Sequence, residues 1–299
     1  MKPLLLMTLA AYVVAAVHYV VAFMHKRRSS ERVAFMSLVV GFALHTASLA
    51  TDWVEDNHYP LFGLRETLSF LAWTLVVAYL LTLILTRYRT LALGSFTLPL
   101  VSVLTFIAMV ARDKAAGASS QITGSGSSWL FPVHTTLLLF AYAAFFVVFA
   151  ASVMYLVQER ELRNKTFSAF FHRLPSLMTV NDIATHAAGI GFTLLTLGVL
   201  TGMLWSSERD GRLWHNDPKE IFASLTWLLY LVLILYRSTA NWRGRRAAWL
   251  GVIGFALVLC TFFGARLLGS YHVFGFWILD FGFWIGGATN LASISIRFP

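Results

Sequence analysis

The sequence predicts an all-α integral membrane protein, a bundle of about eight transmembrane helices. Three observations predict it. Of 299 residues, 58% are hydrophobic and only 12% charged, against roughly a quarter charged in soluble domains. The apolar residues fall into runs near the ~20 residues that cross a bilayer as a helix. The 23 basic and 14 acidic residues collect between those runs, too few to clothe a water-soluble surface. A soluble enzyme, a nucleic-acid reader and a disulfide scaffold are therefore excluded; the single cysteine, Cys260, can form no internal disulfide and no Cys-x-x-Cys pair.

The spans fall at about 3–24, 33–51, 68–86, 91–111, 130–157, 180–205, 222–236 and 247–269. The first is followed by Lys26, Arg27 and Arg28, the reverse of the charge order in a cleavable signal peptide, so it stays as a helix. The loops at 25–32, 87–90, 158–179 and 237–246 carry fourteen of the 23 Lys and Arg residues. The positive-inside rule turns those loops to the cytoplasm and leaves both termini extracytoplasmic. The net charge of +9 thus reflects membrane orientation, with no nucleic-acid partner implied. Residues 1–299 read as one polytopic membrane domain. Within it, the Gly/Ser-rich 112–129 is composed as a linker, and the aromatic tail after 270 as an interfacial segment.

This topology gathers scattered residues on the outer face. His134 lies a turn inside the outer end of the fifth span, and His272 follows the eighth. Trp205 closes the sixth span, Trp214 and Asp217 occupy the next outer loop, and Trp227 lies one to two turns into the seventh span. Two imidazoles from different helices can hold haem iron axially, and indole rings offer a porphyrin a stacking surface. Haem propionates need cations, for which Arg65, Arg209, Arg212, Lys219 and Arg266 are available. A bare zinc ion would need three or four clustered His, Cys, Asp or Glu ligands, and no such cluster stands in the sequence. A plainer alternative stays open at this point: interfacial histidines with hydrogen-bond partners, and the aromatic belt common to membrane proteins.

A longer pattern discriminates. The stretch GMLWSSERDGRLWHNDPKEIFASLTWLLYLVLILYR, residues 202–237, resembles the tryptophan-rich WWD segment of the cytochrome c assembly family. Gly202, Trp205, Gly211, Trp214, the run Asp217-Pro218-Lys219-Glu220 and Thr226-Trp227 carry the resemblance. GFALHTASL around His45, ETLSFLAW at 66–73, FPVHTTLLLFAYAAF at 131–145, GFTLLTLGVLTG at 191–202 and the run from Trp242 to Gly264 look like its CcsA branch. A CcsA/ResC- or HemX-like haem-handling protein of the bacterial cytoplasmic membrane is what this resemblance implies. It further implies haem b held at the extracytoplasmic surface between His134 and His272, over Trp205, Trp214 and Trp227. Apocytochrome c would be the recipient, a CcsB/ResB-like membrane protein the partner, and a cytochrome c haem lyase the possible assembly.

Two positions depart from the family pattern. The Trp that normally precedes the Asp is Asn216, with His215 before it, and the His of a Leu-His-x-Arg context is replaced by Leu235, ahead of Arg237. Other histidines offer a possible second haem site, His18 with His45, because ionisable groups inside a span are functional suspects. His186 lies close to the cytoplasmic end, and His25, His58 and His172 read as loop residues. Asp217-Pro218 reads as the start of the seventh helix, its carboxylates near the positive helix end. Besides haem delivery, the sequence admits a HemX-like or respiratory-complex subunit that keeps the fold without lyase activity, and a haem transporter.

Overall fold

A computed structural model describes residues 3–25, 28–56, 59, 61, 63–86, 91–111, 129–165, 171–239 and 244–264. Eight helices account for nearly all of them: α1 (Pro3–His25), α2 (Arg28–Asp56), α3 (Leu64–Thr86), α4 (Leu91–Val110), α5 (Leu130–Asn164), α6 (Leu177–Asp210), α7 (Pro218–Thr239) and α8 (Arg245–Leu259). All eight segments are long and apolar enough to cross a membrane once the π-turn Cys260–Gly264 continues α8. Among the described residues there is no strand.

Hydropathy marks the thickness of the bilayer, not the ends of helices, and the differences from the sequence expectation follow from this. α5 continues through the charged run Gln158–Asn164, supported by Arg163 donating to Glu159 at 2.8 Å one turn back. It stops at Lys165, whose left-handed backbone (φ 54°) closes the C-terminus. At 35 residues α5 is about 52 Å long, well beyond the ~30 Å apolar core of a bilayer. α6 begins after Ser176, whose Oγ accepts the Thr179 N–H at 3.2 Å, and runs 34 residues to Asp210. The polar ends of both long helices therefore project past the apolar spans read from sequence.

α5 is the centre of the bundle, with the most buried span of the eight, and α6 is its closest neighbour. Small residues make that approach possible: Gly191 faces Phe145, Gly198 faces Leu138 and Gly202 faces His134, spacings of seven and four that hold one side of α6. Phe145 also stacks on Tyr230 of α7, centroids 3.6 Å apart, with Gly254 of α8 against the phenol. α1 to α4 form a second group about Tyr12, Tyr19, Tyr79 and Leu98, continuous with the first. The exterior is apolar, with Val17, Val40, Ile84, Val103 and Ile107 exposed, as a lipid-facing surface requires.

Because successive spans alternate in direction, one end of the bundle collects the end of α2, the starts of α3, α5 and α7, and the ends of α6 and α8. Tyr59 Oη lies 3.0 Å from Thr136 Oγ1 there, and Arg65 pairs with Asp52 at 3.2 Å.

Candidate functional site

A cavity of about 280 Å³ opens at this end, near the lower bound of small-molecule pockets, roughly 300–1,000 Å³. α3 contributes Thr67, α5 Phe131, His134 and Leu138, α6 Met203, Trp205 and Arg209, α7 Lys219, and the π-turn after α8 Phe262. The widened π-turn carries Thr261 and Phe262 to the wall, a common use of this irregularity.

His134 is held in one orientation. Its Nδ1 lies 2.6 Å from the Gly198 carbonyl oxygen. A carbonyl oxygen has no proton to give, so Nδ1–H is the donor, and in the neutral form of the ring the lone pair is on Nε2. This is the arrangement of metal-ligating histidines, whose second nitrogen donates to a carbonyl or carboxylate. Gly202 supplies the space: a Cβ there would stand 2.5 Å from Nδ1. Trp205 lies nearly parallel to the imidazole at 6.5 Å between centroids and is tilted against Phe131 at 5.0 Å. The Arg209 guanidinium carbon sits 4.6 Å from the Trp205 ring centroid, a cation–π contact at the cavity wall.

The connection from α6 to α7 is tightly specified. Gly211, at φ 68°, caps α6 through its N–H to the Ser207 carbonyl at 2.9 Å. Asn216 is also left-handed, at φ 57°, a conformation Asn tolerates better than larger side chains. Its Oδ1 accepts the Trp214 indole N–H at 2.6 Å, which fixes Trp214 at the cavity. Asp217, 1% exposed, accepts the Lys219 N–H at 2.9 Å, and Glu220 Oε2 accepts the backbone N–H groups of His215 at 2.9 Å and Asp217 at 3.3 Å. These are reciprocal caps at the start of α7, in which both carboxylates accept from the backbone. His215 Nδ1 faces Ser206 Oγ at 3.2 Å and Glu220 Oε1 at 3.6 Å. Both contacts meet the same nitrogen, so this is no Ser-His-acid relay, which needs one partner on each side of the ring.

Residues 61–272, about seven tenths of the sequence, match the family model described as cytochrome C assembly protein. The chain belongs to the cytochrome c assembly protein family. Its relatives include proteins named cytochrome c biogenesis protein CcsA. That of Synechococcus sp. (strain RCC307) is 28% identical over 305 residues, covering 93% of this chain and 97% of the relative. That of Prochlorococcus marinus (strain MIT 9301) is 29% identical over 274 residues, covering 85% and 87%. That of Chlamydomonas reinhardtii is 31% identical over 237 residues, covering 76% and 64%.

Within this family member, the structure brings His134, Trp205, Trp214, Arg209 and Lys219 to one cavity. Trp227 stands apart: its indole N–H donates to Thr196 Oγ1 at 2.9 Å and its ring packs on Phe192, so it binds α7 to α6. Arg65 is engaged by Asp52, and Arg212 is exposed. His272 and Arg266 lie outside the described residues. Among the described residues no group of three or more His, Cys, Asp or Glu could hold a bare metal ion.

His45 is fully buried, with Nδ1 3.2 Å from Tyr12 Oη and Nε2 3.0 Å from Ser69 Oγ. Both ring nitrogens are thus engaged by hydroxyls of α1 and α3. His18 donates from Nδ1 to the Val14 carbonyl of its own helix at 2.9 Å, and the two histidines have no common partner. His186 likewise bonds back to Asp182 at 2.8 Å. Leu235 is 51% exposed on the outer side of α7, whereas Arg237 turns inward to Thr185 at 2.6 Å and to Asn181 at 3.2 Å.

Sequence reasoning missed Gly198, the acceptor for His134, and read Gly202 only as a motif residue without seeing that it makes space for His134. Their signal was present in GFTLLTLGVLTG, where glycines 191, 198 and 202 repeat on one helical face.

Proposed function

We propose that this chain holds haem at the extracytoplasmic end of its bundle and hands it to apocytochrome c during cytochrome c biogenesis. One observation carries the reading: His134, its Nδ1–H committed to Gly198, lines a largely apolar cavity together with Trp205. The donor set fits haem, with an imidazole nitrogen for iron, indole faces for the macrocycle, and Arg209 and Lys219 for propionates. His272, the last residue of the family match, is the second axial ligand in this proposal, and Arg266 a further cation. The relatives' printed name, cytochrome c biogenesis protein, supports the pathway.

When bound, haem supplies the vinyl groups that cytochrome thiols attack. The chain's own residues bind, orient and keep water from the ring. Cys260 is its only cysteine, so the reacting thiols belong to the recipient. A CcsB/ResB-like membrane protein is the proposed partner in a haem lyase assembly. The bacterial cytoplasmic membrane is the proposed location, its inner face marked by fourteen of the 23 basic residues.

A second reading, a HemX-like or respiratory-complex subunit that binds haem without delivering it, is favoured by Leu235, which cannot ligate iron and faces outward. No comparable observation favours a transporter, since His45 has both nitrogens engaged. The test is co-expression with an apocytochrome c carrying Cys-x-x-Cys-His, scored for covalent haem, with and without the chain and its His134→Gly variant. Covalent haem that needs the chain and His134 supports delivery. Haem that co-purifies with the chain, lost in His134→Gly but never transferred, supports the second reading. Absence of haem from the purified chain after haem is supplied would sink both.

A further inference from the structure

The Gly198 carbonyl that orients His134 has a second side-chain donor. Thr201 Oγ1 lies 3.0 Å from that same oxygen and 2.9 Å from the Leu197 carbonyl, a hydroxyl proton divided between two acceptors one turn back. His134 Nδ1 is 2.6 Å from the oxygen, so imidazole and hydroxyl compete for one carbonyl. The regular ladder of α6 assigns the Gly202 N–H to it as well. An acceptor's pull on any one donor weakens as others share its lone pairs, because each bond draws electron density from the same atom.

We infer that Thr201 is a positioning residue for haem, setting how strongly Gly198 pulls the Nδ1 proton of His134 and thereby the electron-donating strength of Nε2. The inference rests on the haem-holding reading given above. Its chemistry is that of hydrogen bonding behind a ligating imidazole: the more the carbonyl draws the proton, the more imidazolate-like the ring, the better it supports ferric iron, and the lower the reduction potential. By occupying part of the carbonyl, Thr201 keeps the ring closer to neutral imidazole and holds the potential up.

Thr201→Val removes the hydroxyl at nearly constant volume, and Thr201→Ser retains it. The purified full-length protein in detergent, loaded with haem, is titrated redox-optically for each. Thr201→Val is expected to have a lower midpoint potential than the parent, Thr201→Ser the parent's value, and all three an equal haem content. A helix-packing role for Thr201 would change haem content or melting temperature without this ordered shift in potential. Equal potentials in the parent and Thr201→Val, or a rise in Thr201→Val, overturn the inference while leaving haem holding by His134 intact. Loss of haem binding by the parent itself removes the haem-holding reading and the inference together, and His134→Gly with undiminished haem content does the same.

Discussion

Gly202→Ala tests the geometry on which the site is built. A Cβ at 202 would lie 2.5 Å from His134 Nδ1, and a real Cβ essentially never comes within 3.0 Å of such an atom. The imidazole must therefore move by about 1 Å to reach ordinary van der Waals separation. Gly198 is one turn away on the same helix, and a 2.6 Å bond does not survive such a displacement at full strength. Overpacking costs about 1–3 kcal/mol and a lost hydrogen bond about 1 kcal/mol, against a gain of up to ~1 kcal/mol from removing a helical glycine. The balance is a loss of about 1–3 kcal/mol. Gly189→Ala is the matched control: nothing lies within 4 Å of its added methyl, so only the helical gain remains. Thermal unfolding of the detergent-solubilised variants reads the difference, and absorbance after haem addition reads the consequence at Nε2. Expected are a lowered melting temperature and weakened haem retention for Gly202→Ala and neither for Gly189→Ala. If Gly202→Ala matches the parent in both, His134 is not held as described.

Three further outcomes follow from buried polar groups. His45→Leu strands the hydroxyls of Tyr12 and Ser69 in the α1–α2–α3 interface and is expected to cost about 1–3 kcal/mol; a variant as stable as the parent in chemical denaturation would show that the bridge carries no weight. Asp217→Ala removes the cap of α7 and should lose about 1 kcal/mol, with Asp217→Asn retaining most of it; equal melting temperatures for the Ala and Asn variants would contradict capping. The Tyr230 hydroxyl is buried with no hydrogen-bond partner among the described residues, so Tyr230→Phe should hold or raise the melting temperature. A marked fall would mean the hydroxyl has a partner, ordered water included.

The legible part of this fold was the part written in composition. Eight spans and their order follow from hydropathy because lipid demands an internally bonded, apolar segment of fixed length. The long polar extensions of α5 and α6 were invisible for the same reason: Gln158–Asn164 is helical through propensity and an i,i+4 ion pair, which no apolar window detects. At the site, His134 and Trp205 were legible as residues at one membrane surface, since alternation of spans fixes that. Their mutual geometry was not, because it depends on Gly198 and Gly202, whose role exists only once α6 is laid against α5. Trp227 shows the converse limit. It is two turns from the loop in sequence, yet helical rotation turns its indole to Thr196 and away from the cavity.

The two departures from the family pattern act on different surfaces, and this separates what each could alter. A Trp at position 216 would meet a backbone at φ 57°, which costs a bulky L-residue roughly 1–2 kcal/mol. Asn adopts it readily and uses its side chain to bind the Trp214 indole at 2.6 Å. The loop thus has one indole fewer, and the one that remains is anchored at the cavity wall. This change concerns how the ligand is gripped. Leu235 is half-exposed on the far side of α7 from Arg237, which is tied to Asn181 and Thr185. A histidine there would project out of the bundle, so its replacement leaves the cavity untouched and bears only on whatever covers that face of α7. On the proposed haem-holding function, retention of haem by the isolated chain and its transfer to a recipient are separable, and Asn216→Trp should perturb the first while Leu235→His should act only on the second.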